Sequence, residues 1–386
     1  MITTLAIEGF RSLRHLVMPL GRLTVISGAN GVGKSSVYRS LRLLSEVGQS
    51  GAIAALAREG GVQSMLWAGP EAGAAAAKRA GHPVQGTVRK DVVALKLGYA
   101  GTEFGYAVDF GLPTDQCTMF SRDPEIKAES VFSGAVLRPA TALSERRNGA
   151  VRVRDARGEW VAHDYRLRPI ESMVAAFADP GLAPELLTVR EGLGSWRFYD
   201  HFRTDPDAPV RQAQLGTNTP VLSHSGADLA AAIQTIRERG DRTLLDRTIE
   251  QAFDGASVRV QSRDGLFSLV MEQPGLLRPL ETHELSDGTL RFLMLVAALL
   301  SPTPPSLLVL NEPETSLHPR LLEPLAQLVE AAAQLTQIVV VSHASALVDG
   351  LVRGGANEVH LIKRDGETVI EGQGMLDEPP WSWPKR

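Results

Sequence analysis

The chain has 386 residues, 44% of them hydrophobic, and a formal net charge of −4. That length allows two or three lobes with sizeable cores. The charge excludes a molecule drawn as a whole to nucleic acid or anionic lipid, leaving only a local basic face open. The single cysteine, Cys117, excludes an intrachain disulfide framework and a cysteine-based metal site, which fits a reducing cytoplasm.

The opening "MITTLAIEGF" has no basic segment followed by an apolar run, so no signal peptide is expected. Its alternation, Leu5 and Ile7 against Ala6 and Glu8, predicts a strand. "RLTVIS" at 22–27 predicts a second, buried strand, followed by "GANGVGKSS" and the helical pattern of "VYRSLRLLSEV". Residues 50–82, rich in Ala and Gly, predict an irregular or partly helical insertion. From 86 to 162, the alternating segments "VVALKLGYA", "FGYAVDFGL" and "AVRVRDARGEWVAHDY" predict an antiparallel sheet. Beyond 166 the pattern turns helical in "IESMVAAFA", "GADLAAAIQTIRERG" and "RTLLDRTIEQAF", with Asp241 as a cap for the last. Residues 257–272 predict a hairpin turning at Arg263-Asp264-Gly265. "DGTLRFLMLVAALLS" predicts an apolar helix, and its unbroken apolar run at 292–300 is too short to span a bilayer. Three strands follow, "SLLVL", "QIVVVS" and "EVHLIKR", with a helix at 320–334 between the first two, then an irregular Pro-rich tail at 371–386.

Gly28, Ala29, Asn30, Gly31, Val32, Gly33, Lys34 and Ser35 fit G-x-x-x-x-G-K-[ST] at every required position, and Ser36 follows. Strand, glycine turn and helix come in the order that a phosphate cradle needs. Backbone N–H groups and the positive end of the helix would face phosphate, Lys34 would reach the β- and γ-phosphates, and Ser35 would hold Mg²⁺. A second strand end, in "LLVLNEPETSLHP" at 307–319, stops at Asn311-Glu312-Pro313. Many nucleotide-hydrolysing proteins carry Asp-Glu there.

The order of "GANGVGKSS", "LSDGT" with Ser286 and Gly288, "NEPETSLHP", and "VVVSH" with His343 resembles the ATP-binding-cassette ATPases. The opening "LAIEGFRSLRHLVMPLGRLTVISGANGVGKSS" resembles their RecF/SMC-like branch, including AAA-family ATPases of bacterial chromosomes and defence islands. The resemblance covers both ends of the chain and only loosely the middle. It implies an α/β P-loop NTPase fold of the cassette type, a mixed sheet with an antiparallel β subdomain and a mainly helical second lobe. The expected division is a nucleotide-binding lobe at 1–165 plus 302–370 and a helical lobe carrying the signature at 166–301. It also implies ATP and Mg²⁺ as ligands and a homodimer closed around two ATP molecules. Ser286 and Gly288 would contact the γ-phosphate on the other subunit, Glu312 would act on the attacking water, and His343 would sense the γ-phosphate. Arg11 would reach the nucleotide; its alternative is a plain salt bridge. Asn311 would take the magnesium-water position of the usual Asp, one charge short, giving a slow enzyme that needs elevated Mg²⁺. Gln116 is a candidate glutamine-loop residue by position alone.

The implied activity is ATP hydrolysis gating DNA or a separately encoded nuclease or toxin, in genome maintenance or phage defence, in the cytoplasm and without a membrane. A non-hydrolysing clamp or scaffold is the alternative that Asn311 keeps open. A transporter ATPase subunit is disfavoured by the opening and the β insertion, and a nuclease fused within this chain by the short tail. The five arginines of 144–160 read as a solvated edge ahead of a phosphate contact, and "SWRFYDHFR" at 195–203 as a core strip ahead of a base-stacking platform.

Overall fold

The computed structural model describes residues 1–49, 52–67, 94–113, 119, 122–177, 179–374 and 376–386. Gln116 and most of the Ala/Gly-rich insertion lie outside the described residues. In chain order the elements begin with β1 (Ile2–Phe10), β2 (Leu13–Pro19), β3 (Leu23–Ser27), α1 (Lys34–Gly48), α2 (Ala52–Arg58) and α3 (Val62–Met65). Next come β4 (Leu95–Gly101), β5 (Phe104–Gly111), β6 (Glu125–Ser133), β7 (Ala142–Arg147), β8 (Ala150–Arg154), β9 (Trp160–Ala162), α4 (Met173–Ala176) and α5 (Pro184–Ser195). Then follow β10 (Arg197–Tyr199), β11 (Gln214–Leu215), α6 (Leu229–Arg239), α7 (Arg242–Ala252), β12 (Ser257–Arg263), β13 (Leu266–Glu272) and β14 (Leu280–Glu281). The last are α8 (Asp287–Leu299), β15 (Leu307–Asn311), α9 (Leu322–Ala332), β16 (Gln337–Val341), α10 (Ser345–Arg353), β17 (Asn357–Arg364) and β18 (Glu367–Ile370). The expected class, mixed α/β with an antiparallel β part, is what the chain adopts.

By its contacts the chain forms two compact units. The first holds Met1–Gly21, Gly28–Trp196 and Val359–Arg386, the second Arg22–Ser27 and Arg197–Glu358.

The first unit contains an eight-stranded antiparallel sheet in the order β2-β1-β4-β5-β6-β7-β8-β9. The alternating segments become β4, β5, β8 and β9. The "IESMVAAFA" helix shrinks to α4, whose start Ser172 caps by accepting from the Val174 N–H. The arginine-rich edge behaves as a balanced, self-contained surface. Arg152 pairs with Glu145, and the guanidinium groups of Arg152 and Arg154 lie 4.3 and 4.5 Å from the Trp160 ring centre. Arg146 is the exception, because strand alternation turns it inward. It and Glu129 are fully buried and paired at 3.0 Å. The Glu129 carboxylate also accepts from Tyr106 Oη and Ser172 Oγ, each at 2.6 Å, and from the Met173 N–H at 2.8 Å. Burial and this carboxylate push the Tyr106 hydroxyl well above its ordinary pKa. The irregular tail is docked: Trp381 packs edge-on against Phe132, and Arg386 binds Asp109 at 2.7 Å.

In the second unit, β10, β15, β16 and β3 pair side by side, all parallel. Every residue of β3, β15 and β16 is buried, which is why these strands read as unbroken apolar runs and not as alternation. "SWRFYDHFR" is indeed core, with Phe198, Tyr199 and Phe202 buried, but Arg197–Tyr199 also form a strand, β10, against β15. The expected hairpin is β12–β13, turning at Asp264-Gly265. Asp241 caps α7, accepting from the Leu244 N–H at 2.8 Å.

Breaking a buried ion pair from one side leaves an uncompensated charge, which typically costs about 3–5 kcal/mol. Glu129→Ala should therefore lower stability by about that amount in urea unfolding. Glu129→Leu with Arg146→Met should cost less, because no charge is stranded.

Candidate functional site

Two groups of polar residues stand out, one in each unit. The first is the glycine turn between β3 and α1. Gly28 and Gly33 adopt φ of 136° and 113°, in the region that favours glycine. A Cβ on Gly28 would lie 2.4 Å from the Leu361 carbonyl oxygen, and one on Gly33 would lie 2.4 Å from Thr368 Oγ1. Thr368 is fully buried and pins the turn: its hydroxyl contacts the Val32 carbonyl at 2.5 Å and Ser12 Oγ at 2.8 Å. Helix α1 has no acidic residue in its first turn, so its positive end is left for a ligand. Ala29, Asn30, Gly31 and Ser35 are exposed, whereas Ser36 is buried. Lys34 is buried too, and its ammonium donates to the carbonyls of Gly28 at 2.6 Å and Ala29 at 3.0 Å. Arg11, in the same unit, pairs with Glu59 at 2.6 Å, as the salt-bridge reading has it.

The second group gathers at the ends of β15 and β16. Register sets Asn311 opposite Val341, so the residues just beyond meet. His343 Nδ1 lies 3.6 Å from Glu312 Oε1 and 3.4 Å from Glu314 Oε1. Glu312 has a φ of 47°, uncommon for a residue with a side chain, and its N–H donates to the Val341 carbonyl at 2.7 Å. Glu312 and His343 are partly exposed and Glu314 is buried. Glu314 Oε1 accepts from Ser342 Oγ at 2.7 Å, the His343 N–H at 3.0 Å and the Ala344 N–H at 3.2 Å. One carboxylate thus fixes the backbone on both sides of the histidine.

The turn before α8 forms the rest. Ser286 is exposed and caps α8, accepting from the Thr289 N–H at 3.1 Å. A Cβ on Gly288 would meet the Ser316 carbonyl at 2.8 Å, so α8 starts tight against the turn after Glu314. Arg211 braces the turn, donating to the Leu285 carbonyl at 2.9 Å and pairing with Asp287 at 2.7 Å. Asn311 is buried, and its Nδ2 donates to Asp200 Oδ1 at 2.9 Å.

Within the second unit, then, Asn311, Glu312 and His343 come together. Glu314, Arg211, Thr368 and Asp200 carry no motif of their own. The one sequence hint was the second acid of "NEPE", which places Glu314 two residues from Glu312.

Among the described residues, no group of three or more His, Cys, Asp or Glu is arranged to hold a metal. A magnesium ion carried with phosphates needs far less, one or two carboxylates beside its waters. Asn311 brings no charge, but its Oδ1 is a buried acceptor without a hydrogen-bond partner, able to take a metal-bound water.

A family profile described as "AAA domain, putative AbiEii toxin, Type IV TA system" matches residues 23–349. No curated protein matches the sequence. Among solved structures, the fold is similar to an SMC head bound to the C-winged helix domain of ScpA, with 14% identity and a TM-score of 0.50 over 97% of this chain and 98% of that one. It is also similar to an SMC head domain with an extended coiled coil bound to the C-terminal domain of ScpA, derived from Pyrococcus furiosus. That match has 12% identity and a TM-score of 0.50 over 96% of this chain and 95% of the other.

A buried donor left without its acceptor costs about 1–3 kcal/mol. Glu314→Ala takes the acceptor from Ser342 Oγ and the His343 N–H, while the Ala344 N–H keeps Ser342 Oγ at 3.1 Å, so it should lower stability by about 1–3 kcal/mol in thermal or urea unfolding. Glu314→Gln keeps one acceptor oxygen and should cost less.

Proposed function

The chain belongs to that AAA-domain family and has the head fold of SMC ATPases, and on this premise we propose that it binds ATP with magnesium and hydrolyses it slowly within a homodimer closed around two ATP molecules. The observation that carries this reading is the meeting of Glu312 and His343 at the ends of two paired strands. Glu312 takes the proton of the attacking water. His343 senses the γ-phosphate, its main chain held by Glu314. Lys34 and the N–H groups of 28–36 cradle the phosphates, and Ser35 with Asn311 serves the magnesium ion. Magnesium, when bound, would supply charge neutralisation at the phosphates. Ser286 and Gly288, at the exposed start of α8, reach the γ-phosphate held by the other copy. Arg11 approaches the nucleotide only by leaving Glu59. The nucleotide-binding lobe is 1–165 plus 302–370, and the signature lobe is 166–301.

The family description names a toxin of a type IV toxin–antitoxin system, and the similar SMC heads are recorded with ScpA. The first supports a role in defence and the second a chain whose ATP state is read by a separately encoded partner; DNA, in genome maintenance or phage defence, is the other reader that we propose. No helix among the described residues is long and apolar enough to cross a membrane.

Lys34→Ala removes the cation aimed at the phosphates and the two bonds that hold it across the turn. Charge-assisted bonds are worth about 1.5–3 kcal/mol each, so affinity for a fluorescent ATP analogue should fall at least tenfold. Unchanged affinity would remove the cradle from this reading.

Glu312→Gln should retain ATP and lose turnover by at least about 100-fold, the usual contribution of a general base. The closed dimer should then accumulate in light scattering with ATP and Mg²⁺. A variant that keeps the size it has without nucleotide would argue against closure around shared ATP.

A further inference from the structure

We infer that Asp200 supplies the carboxylate that Asn311 lacks, so that the magnesium position is served by an amide on one strand and an acid on the next. This rests on the nucleotide-site reading above and adds a residue to it. Register produces the arrangement. Strand β10 runs parallel to β15 with Tyr199 beside Leu310, so the next residue on each, Asp200 and Asn311, fall side by side. Their contact is Asn311 Nδ2 to Asp200 Oδ1 at 2.9 Å.

A carboxylate can only accept, so the Asn311 amide must turn its NH₂ toward Asp200. The acid therefore fixes the rotamer of the amide. It leaves Oδ1 of a side chain only 8% exposed as an acceptor with no partner. Such an orphaned, aimed oxygen calls for a donor, and a metal-bound water is one. Asp200 itself is exposed, so its negative charge is close to this acceptor and still open to a hydrated cation.

The residue at 311 also follows from electrostatics. An Asp there would bring a second carboxylate to hydrogen-bond distance from Asp200 with no donor between them. Asn beside Asp keeps one negative charge and one neutral acceptor. On this inference the charge missing at Asn311 is supplied just beyond the neighbouring strand.

The test is a charge exchange read by binding. Affinity for a fluorescent ADP analogue is measured with Mg²⁺ and with a chelator, and the ratio isolates the metal-dependent part. Wild type should bind more tightly with Mg²⁺. Asp200→Asn should lose about 10–100-fold of that ratio, as removal of a residue supporting a metal site does, with affinity in chelator unchanged. Asp200→Asn with Asn311→Asp should restore it. Asn311→Asp alone should gain nothing, because it removes the amide donor that holds Asp200. Asp200→Asn with a wild-type ratio, or Asn311→Asp with a raised one, overturns the assignment. Both single variants are isosteric, and thermal melting without nucleotide checks their fold. Should Asp200→Asn fail to fold, the double variant decides: a wild-type ratio supports the exchange and a lost ratio overturns it. A wild-type chain that binds no nucleotide in either buffer removes the site reading itself.

Discussion

Everything at the strand ends depends on the parallel pairing of β15 with β16 and with β10. Parallel strands cannot be joined by tight turns, so residues that end side by side are distant in sequence. The pairing is held by apolar burial: each residue of β15 and β16 is buried. A slip by one residue would turn these side chains to the wrong faces and separate Glu312 from His343. The hydrophobic sheet is therefore what sets the polar geometry.

Given that register, a second constraint shapes the turn after β15. Glu312 and Ser316 both adopt positive φ, 47° and 63°. Such conformations cost of order 1–3 kcal/mol each and persist only where the surroundings over-determine them. The surroundings here are specific. The Glu312 N–H is taken by Val341, the Thr315 N–H by the Glu312 carbonyl, and the Glu314 carboxylate by three donors after β16. These bonds fix the Glu312 main chain beside the strand end that leads to His343.

Legibility in the sequence follows the range of the interactions. The glycine turn could be read directly, because G-x-x-x-x-G-K-[ST] is a local backbone requirement that Gly28 and Gly33 meet with φ values favouring glycine. The buried strands β3, β15 and β16, the β12–β13 hairpin and the Asp241 cap were equally local. What stayed hidden depends on which distant strands become neighbours. Arg197–Tyr199 is a three-residue strand with no alternation to reveal it, and without β10 there is no reason to connect Asp200 with Asn311. Arg146 looked like one more arginine of a solvated edge until the sheet turned it inward onto Glu129. Glu314 sat in plain view beside Glu312, but its task depends on residues that follow β16.

The recognisable motifs accordingly carry only half of the polar machinery. Thr368 holds the glycine turn, Arg211 the turn before α8, Glu314 the residues around His343, and Asp200 the amide of Asn311. Arg291 extends the same logic across the second unit. It lies within α8 and is only 9% exposed. Its guanidinium donates to the Thr315 carbonyl and to His201 Nδ1, both at 3.3 Å. A buried guanidinium is costly unless hydrogen-bonded. Helix α8 therefore cannot shift away from the Glu312 turn or from the loop after β10 without stranding that charge. Helix α8, the turn after β15 and the loop after β10 thus share one buried cation.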